Sequence, residues 1–233
     1  AQTGKAFRNE ITPGNFIFRT REFEQMEMQY FVPPEDVDKW FEYWRVERME
    51  FYYSLGIDKN KLRFYEHPEN KLAHYAARAV DIEYEFPWGW AELEGVHNRT
   101  DYDIRHHQEH SGKDLTVFDE QTRKRYLPYI VETSAGLNRT LLVALLDAYT
   151  EEEVAGEQRT VLKFSPHIAP MQVGIFPLVK KAGLPEIARQ IEADLRPYYR
   201  VFYDEKGAIG RRYRRQDEVG TPYCITVDFQ TKE

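Results

Sequence analysis

Cysteine is almost absent: Cys224 is the only one in 233 residues, which excludes an internal disulfide framework and fits a reducing cytoplasm. Long apolar runs are missing too, and nothing approaches the ~20 residues that a membrane helix requires. Residues 1–10 are polar and hold no apolar core of a secretory signal, so a cytoplasmic protein without membrane association is expected. There is no internal repeat and no low-complexity tract. Excess positive charge is also lacking, since the net charge is −7. That argues only weakly against nucleic-acid partners, because a local basic surface is enough to attract phosphates. Aromatic residues, by contrast, reach 15%, which argues against disorder, and the length allows one large domain or two ordinary ones.

The pattern along the chain separates two regions. The Thr12-Pro13-Gly14-Asn15 turn signal predicts a hairpin, with one strand ending near Glu10 and the next starting near Phe16. Pro33-Pro34-Glu35-Asp36 then opens a helix whose apolar positions Val37, Trp40, Phe41, Trp44 and Met49 recur at helical spacing until Gly56. Alternation of Ile82, Tyr84, Phe86, Trp88 and Trp90 predicts one half-buried strand over residues 81–96, followed by a polar helix after Asp101. A short buried strand at residues 129–132, a break at Gly136 and an apolar helix over residues 140–149 complete the first region.

Residues 151–159 combine like charges with a glycine and no core-forming side chain, so they are expected to be a linker. Beyond them come a buried strand at residues 173–179, an amphipathic helix at 185–195, and strands at 201–203 and 225–227. This strand–helix–strand alternation predicts an α/β domain.

Two segments carry the chemistry. Phe7-Arg8-Asn9-Glu10, an eight-residue connection and Arg19-Thr20-Arg21-Glu22-Phe23-Glu24-Gln25-Met26-Glu27 form the first. Period-two alternation places Arg8 with Glu10, and Arg19 with Arg21, Phe23, Gln25 and Glu27, on shared strand faces. Guanidinium forks for phosphate, a ring for stacking and acceptors for an exocyclic amine suit a nucleoside triphosphate. A solvated face laced with ion pairs is the alternative. The second segment is Glu132-Thr133-Ser134-Ala135-Gly136-Leu137-Asn138-Arg139, leading into the apolar helix. Its arginine stands against the helix dipole, which suggests a functional reason for it.

The first segment resembles motif 2 of class II aminoacyl-tRNA synthetases, and Gly136-Leu137-Asn138-Arg139 is similar to a reduced motif 3. Trp90-Ala91-Glu92-Leu93-Glu94-Gly95, Asn98-Arg99-Thr100-Asp101-Tyr102-Asp103 and Glu132-Thr133-Ser134-Ala135-Gly136 resemble the dimeric glycyl branch of that class. Residues 209–222 are similar to the anticodon-binding domain of the same branch. Motif 1, which builds the dimer interface in this class, has no counterpart, and the anticodon-binding domain is expected to be incomplete.

The resemblance implies an α+β catalytic domain on an antiparallel sheet at residues 1–150 and, after the 151–159 linker, an α/β anticodon-binding domain with a mixed sheet at 160–233. It implies ATP-dependent attachment of glycine to its tRNA through glycyl-adenylate, by a homodimer when motif 1 is present. Arg8 would hold the α-phosphate and the glycine carboxylate, Glu10 the adenine amino group, Phe23 the adenine face and Arg19 the γ-phosphate, while Arg139 closes the other side. Glu27, Glu132 and Ser134 would receive the glycine ammonium, with Arg99 and Glu92 completing that pocket. Magnesium (Mg2+) on the triphosphate would have Glu132 close by, within the set of ATP contacts. A class II synthetase for threonine, proline or histidine, and a catalytically inactive nucleic-acid-binding accessory protein, are the alternatives.

Three further features stay open. His106, His107 and His110 could hold a metal or form a solvated face. Arg211, Arg212, Arg214 and Arg215 could contact RNA or pair with nearby acids. Cys224 reads as a small core residue.

Overall fold

The computed structural model describes residues 1–154 and 156–232, with Lys232 described by its backbone alone. The chain divides into two compact units, residues 1–143 and 144–233.

The first unit is built on a six-stranded sheet. Its strands are β1 (Gln2–Phe7), β2 (Glu22–Val32), β3 (Leu62–Glu66), β4 (Arg78–Phe86), β5 (Gly89–Thr100) and β8 (Tyr129–Gly136), in the order β1-β2-β8-β5-β4-β3. Every neighbouring pair is antiparallel. Between β5 and β8 lie α2 (Tyr102–Ser111) and a small hairpin of β6 (Val117–Asp119) and β7 (Lys124–Tyr126). Helix α3 (Leu137–Ala148) follows β8 directly.

Helix α1 (Val37–Ser54) covers one face of this sheet. Val32, Val37, Phe41, Val80, Val96 and Val131 form the core there, with Tyr30, Trp40 and Trp44 packed against it. Phe41 and Tyr52 are fully buried, each contributing about 2–3 kcal/mol by leaving water. Because side chains alternate along a strand, burial of Tyr30, Val96 and Val131 against α1 turns Gln29, His97 and Glu132 to the opposite face. A buried carboxylate sits on the α1 side. Glu94 is 1% exposed and accepts from Arg48 Nε (2.6 Å), Arg48 Nη2 (3.1 Å) and the Tyr52 hydroxyl (2.7 Å), so its charge is answered from two turns of α1.

Two expectations are corrected in this unit. The hairpin strands are shorter than expected: β1 stops at Phe7 and β2 starts at Glu22 rather than near Phe16, so Arg8, Glu10, Arg19 and Arg21 belong to the connection. That connection is closed by backbone hydrogen bonds in both directions between Gly14 and Arg19, and Asn15 and Phe16 take positive φ at its tip. The single strand expected over residues 81–96 is a hairpin of β4 and β5. Pro87, with no N–H to donate, and Gly89, at φ +108°, turn the chain while the alternation runs on unbroken.

The second unit begins in the last turns of α3. Residues 151–159, read by composition as a linker, carry paired strands β9 (Tyr149–Val154) and β10 (Glu157–Leu162), and Ala155 lies outside the described residues. The acidic run is matched across the hairpin: Glu152 accepts from Arg159 (2.7 Å) and pairs with Lys163 (2.9 Å). A sheet in the order β12 (Val201–Tyr203), β11 (Val173–Pro177), β13 (Tyr223–Val227) is crossed by α4 (Leu184–Leu195) and α5 (Ile209–Val219). Both described pairings are parallel, as connections through a helix allow, and the antiparallel neighbour that a mixed sheet needs is not among these strands. Val173, Ile175, Leu184, Ala188 and Val227 form its core.

The four arginines of α5 divide. Arg212 is buried and donates to the carbonyls of Pro177 (2.5 Å) and Gly207 (2.7 Å), and Arg215 pairs with Asp204. Arg214 pairs with Glu218 (3.4 Å) and Glu157 (3.5 Å), and Arg211 is exposed. Cys224 is half-buried, and burial pushes its thiol up to about 11.

The Arg48–Glu94 pair gives a stability test. Arg48→Met in the full-length protein is expected to cost about 3 kcal/mol, because it strands a buried carboxylate. Adding Glu94→Leu should recover part of that loss. Urea unfolding of both variants reads this, and a further loss in the double variant would contradict it.

Candidate functional site

The sheet face opposite α1 holds two adjoining depressions. The first is bordered by Arg8, Glu10, Phe18, Arg19, Phe23 and Arg139, among others. Strand β2 supplies Phe23, the closed connection supplies Arg8, Glu10, Phe18 and Arg19, and the start of α3 supplies Arg139. The Arg8 guanidinium lies 5.4 Å from the Phe23 ring centroid. Arg139 reaches back from the first turn of α3, donating from Nε to the Phe18 carbonyl (3.1 Å) and from Nη1 to the Glu92 carbonyl (2.9 Å). Its guanidinium also stands 4.3 Å from the Phe18 ring centroid and 3.3 Å from the Glu92 carboxylate. This explains an arginine placed against the helix dipole: its charge is used across the cleft and not along the helix axis. Asn138 Oδ1 accepts from the Glu24 backbone N–H (2.8 Å), tying α3 to β2.

The second depression adjoins the first, with Arg8, Gln25, Glu92 and Ser134 bordering both. Strand register builds it. On β8, Ser134 stands opposite Glu27 of β2 and Gly95 of β5, and Glu132 stands opposite Gln29 and His97. Glu27, Ser134 and Glu132 therefore fall in two adjacent cross-strand rows. Gly95 leaves the space that the His97 ring fills; a Cβ there would lie 2.5 Å from His97 Cε1. A register shift between Asn98 and Thr100 brings in Arg99, which donates from Nη1 to Glu132 (3.0 Å) and from Nε to Asp103 (2.8 Å). The Tyr75 ring lies 4.0 Å beneath that guanidinium.

Glu132 is 6% exposed. Burial pushes its carboxyl up, but the nearby His97 ring, the hydrogen bond from Gln29 and the Arg99 charge outweigh burial and hold it below the ordinary carboxylate value. His97 Nδ1 faces Glu132 Oε1 at 3.4 Å. Both carboxylate oxygens are thus met by nitrogen donors, an arrangement that does not fit a magnesium ligand, which needs free oxygens for the ion. Among the described residues no group of three or more His, Cys, Asp or Glu side chains could hold a metal ion. His106, on α2, packs its ring against Tyr102 and His110.

The profile of the tRNA synthetase class II core domain (G, H, P, S and T) matches residues 1–149, and that of the anticodon binding domain matches residues 172–233. The chain belongs to the class II tRNA synthetase core family. It is similar to a Treponema denticola protein named glycine–tRNA ligase, at 56% identity over 100% of this chain and 53% of that protein. A Thermobifida fusca glycine–tRNA ligase is 54% identical over 100% of this chain and 52% of its own length. The chain spans about half the length of the curated relatives it matches. Among solved structures, Cryptosporidium parvum prolyl-tRNA synthetase complexed with L-proline and AMP shares the fold. Its TM-score is 0.73 at 17% identity, over 98% of this chain and 47% of that one.

The class II core places all ten expected site residues, Arg8, Glu10, Arg19, Phe23, Glu27, Glu92, Arg99, Glu132, Ser134 and Arg139, along the two depressions. It also brings in Phe18, Gln25, Gln29, His97 and Asn138, to which sequence reasoning gave no separate role. Gln25 and Gln29 had one available signal, their period-two spacing from Glu27.

Glu132 predicts a pH dependence. Its folded-state pKa lies below the unfolded value of about 4.3, so its contribution to stability is present above that pH and fades as pH falls through the folded value. Glu132→Gln should therefore destabilise the full-length protein most near neutrality, with the difference from wild type shrinking below about pH 4.3. Urea unfolding at several pH values measures it, and a pH-independent difference would contradict it.

Proposed function

We propose that the full-length protein attaches glycine to its tRNA using ATP, through glycyl-adenylate, as a glycine–tRNA ligase. One observation carries the reading: a carboxylate-lined pocket adjoins an arginine-walled cleft, with Arg8 bordering both. The names of relatives more than half identical to this chain support the same conclusion.

In this reading the first cleft takes ATP as its magnesium complex, the ion arriving with the substrate. Phe23 stacks under adenine, Glu10 accepts from its amino group, Arg19 reaches the γ-phosphate and Arg139 closes the far side. Arg8 holds the α-phosphate and the glycine carboxylate. The carboxylate attacks the α-phosphorus and pyrophosphate leaves. No protein nucleophile is needed, so the residues contribute by positioning and neutralising charge. Glu27, Glu132 and Ser134 receive the ammonium, with Arg99 and Glu92 around them. A pocket closed around the substrate by these groups would exclude a side chain, and excluding a larger substrate is the easier direction of discrimination.

Residues 1–150 would form the catalytic domain and residues 160–233 the anticodon-binding part. The exposed Arg211 of α5 would be able to meet RNA phosphates, while Arg214 is already paired with Glu157 and Glu218. We place the protein in the cytoplasm as a homodimer. No described helix is long and apolar enough to cross a membrane.

ATP–pyrophosphate exchange with glycine, alanine, threonine, proline and histidine tests the reading. Glycine should be activated in strong preference to the others. Arg8→Ala and Arg139→Ala should each lower exchange by about 100-fold or more while leaving the fold intact, since one lost contact to transition-state charge costs about 3–4 kcal/mol. Preference for threonine or proline would overturn the glycine assignment. Near-normal exchange by either arginine variant would overturn the roles given to them.

A further inference from the structure

Glu27 is not left to find its own position. Gln25, Glu27 and Gln29 alternate along β2 and share the site face. The Gln25 amide nitrogen donates to Glu27 Oε2 (2.8 Å) and to Ser134 Oγ (2.6 Å). The Gln29 amide nitrogen donates to Glu27 Oε1 (2.6 Å) and also to Glu132 Oε2. Each –NH2 group has two hydrogens, and here each spans from Glu27 to a residue of β8. Both oxygens of Glu27 are engaged, one by each glutamine.

We propose that Gln25 and Gln29 are positioning residues that clamp the Glu27 carboxylate against β8, setting Glu27, Ser134 and Glu132 as a fixed triangle of acceptors for an ammonium group. The chemistry requires something of this kind. Glu27 and Glu132 are like charges brought to one nitrogen, and without a donor between them the more mobile side chain would swing away. Arg99 stands on the far side of Glu132 and is shared with Asp103, and Glu27 has no arginine or lysine partner among its hydrogen bonds and ion pairs in the described residues. A neutral amide supplies donors without adding a cation that would compete with the substrate's own. Each Glu27 oxygen retains a second lone-pair direction and so does Ser134 Oγ, so the N–H groups of an ammonium still find acceptors there. Glu132, whose Oε2 already accepts from Gln29 and Arg99, contributes its charge and its Oε1 edge.

The proposal rests on the glycine reading of this pocket and is tested with the full-length protein. Gln29→Met keeps the length of the side chain and removes both donors. It should raise KM for glycine about tenfold while KM for ATP and kcat stay within about twofold, because a donor to a charged acceptor is lost from ground state and transition state alike. Gln25→Met should show the same split, and thermal unfolding midpoints should stay near wild type for both. An unchanged KM for glycine in both variants, or KM values for glycine and ATP that rise together, would overturn the clamp. Wild type without glycine-dependent exchange would overturn the functional reading, and the clamp with it, so the wild-type arm distinguishes the two failures.

Discussion

The pairing register between β2 and β8 is the constraint on which the rest of this structure depends. It sets Glu27 opposite Ser134 and Gln29 opposite Glu132, and the β5–β8 register adds His97 on the other side of Glu132. A slip of one residue would send every one of these groups to the α1 face. What resists that slip is the other face, where Tyr30, Val96 and Val131 pack with Val80 and Phe41 under α1. The polar site is held in place by apolar burial on the reverse of the same strands.

Charge on the site face is distributed so that each fixed group already has a partner. Glu132 is met by Arg99, Gln29 and His97, Arg99 is shared with Asp103, and Arg139 is held by the Phe18 and Glu92 carbonyls. Such pairing pre-orders the side chains and reduces the reorganisation left for a substrate to impose. Under the proposed function, the adenylate would enter a site in which Glu132, Arg99 and Arg139 need little movement, while the exposed Arg8 and Arg19 are left to close on the phosphates.

Much of this was legible in the sequence, for identifiable reasons. Arg8, Phe23, Glu27, Glu132 and Arg139 stand at spacings that two strands and a helix start translate directly into proximity. The turn at Pro87 was hidden because apolar alternation runs through it, and β9–β10 was hidden because Glu152 finds Arg159 and Lys163 only after pairing. His97 and Asn138 gave no separate signal, and Gln25 and Gln29 gave only their period-two spacing from Glu27. They are neutral or weakly charged residues whose roles come from cross-strand partners up to 114 positions away, and periodicity does not reach across strands. The extent of β2 was misread because Arg19 and Arg21 continue its alternation, although the chain there is a closed loop.

The most direct measurement is a crystal structure of the full-length protein with a non-hydrolysable glycyl-adenylate analogue. The account predicts the ammonium within about 3 Å of Glu27, Ser134 and Glu132 oxygens. It also predicts the adenine against Phe23 and the Gln25 and Gln29 amides still on Glu27. An ammonium seated away from the β2–β8 rows, or an adenine bound outside the cleft of Arg8, Phe23 and Arg139, would contradict it.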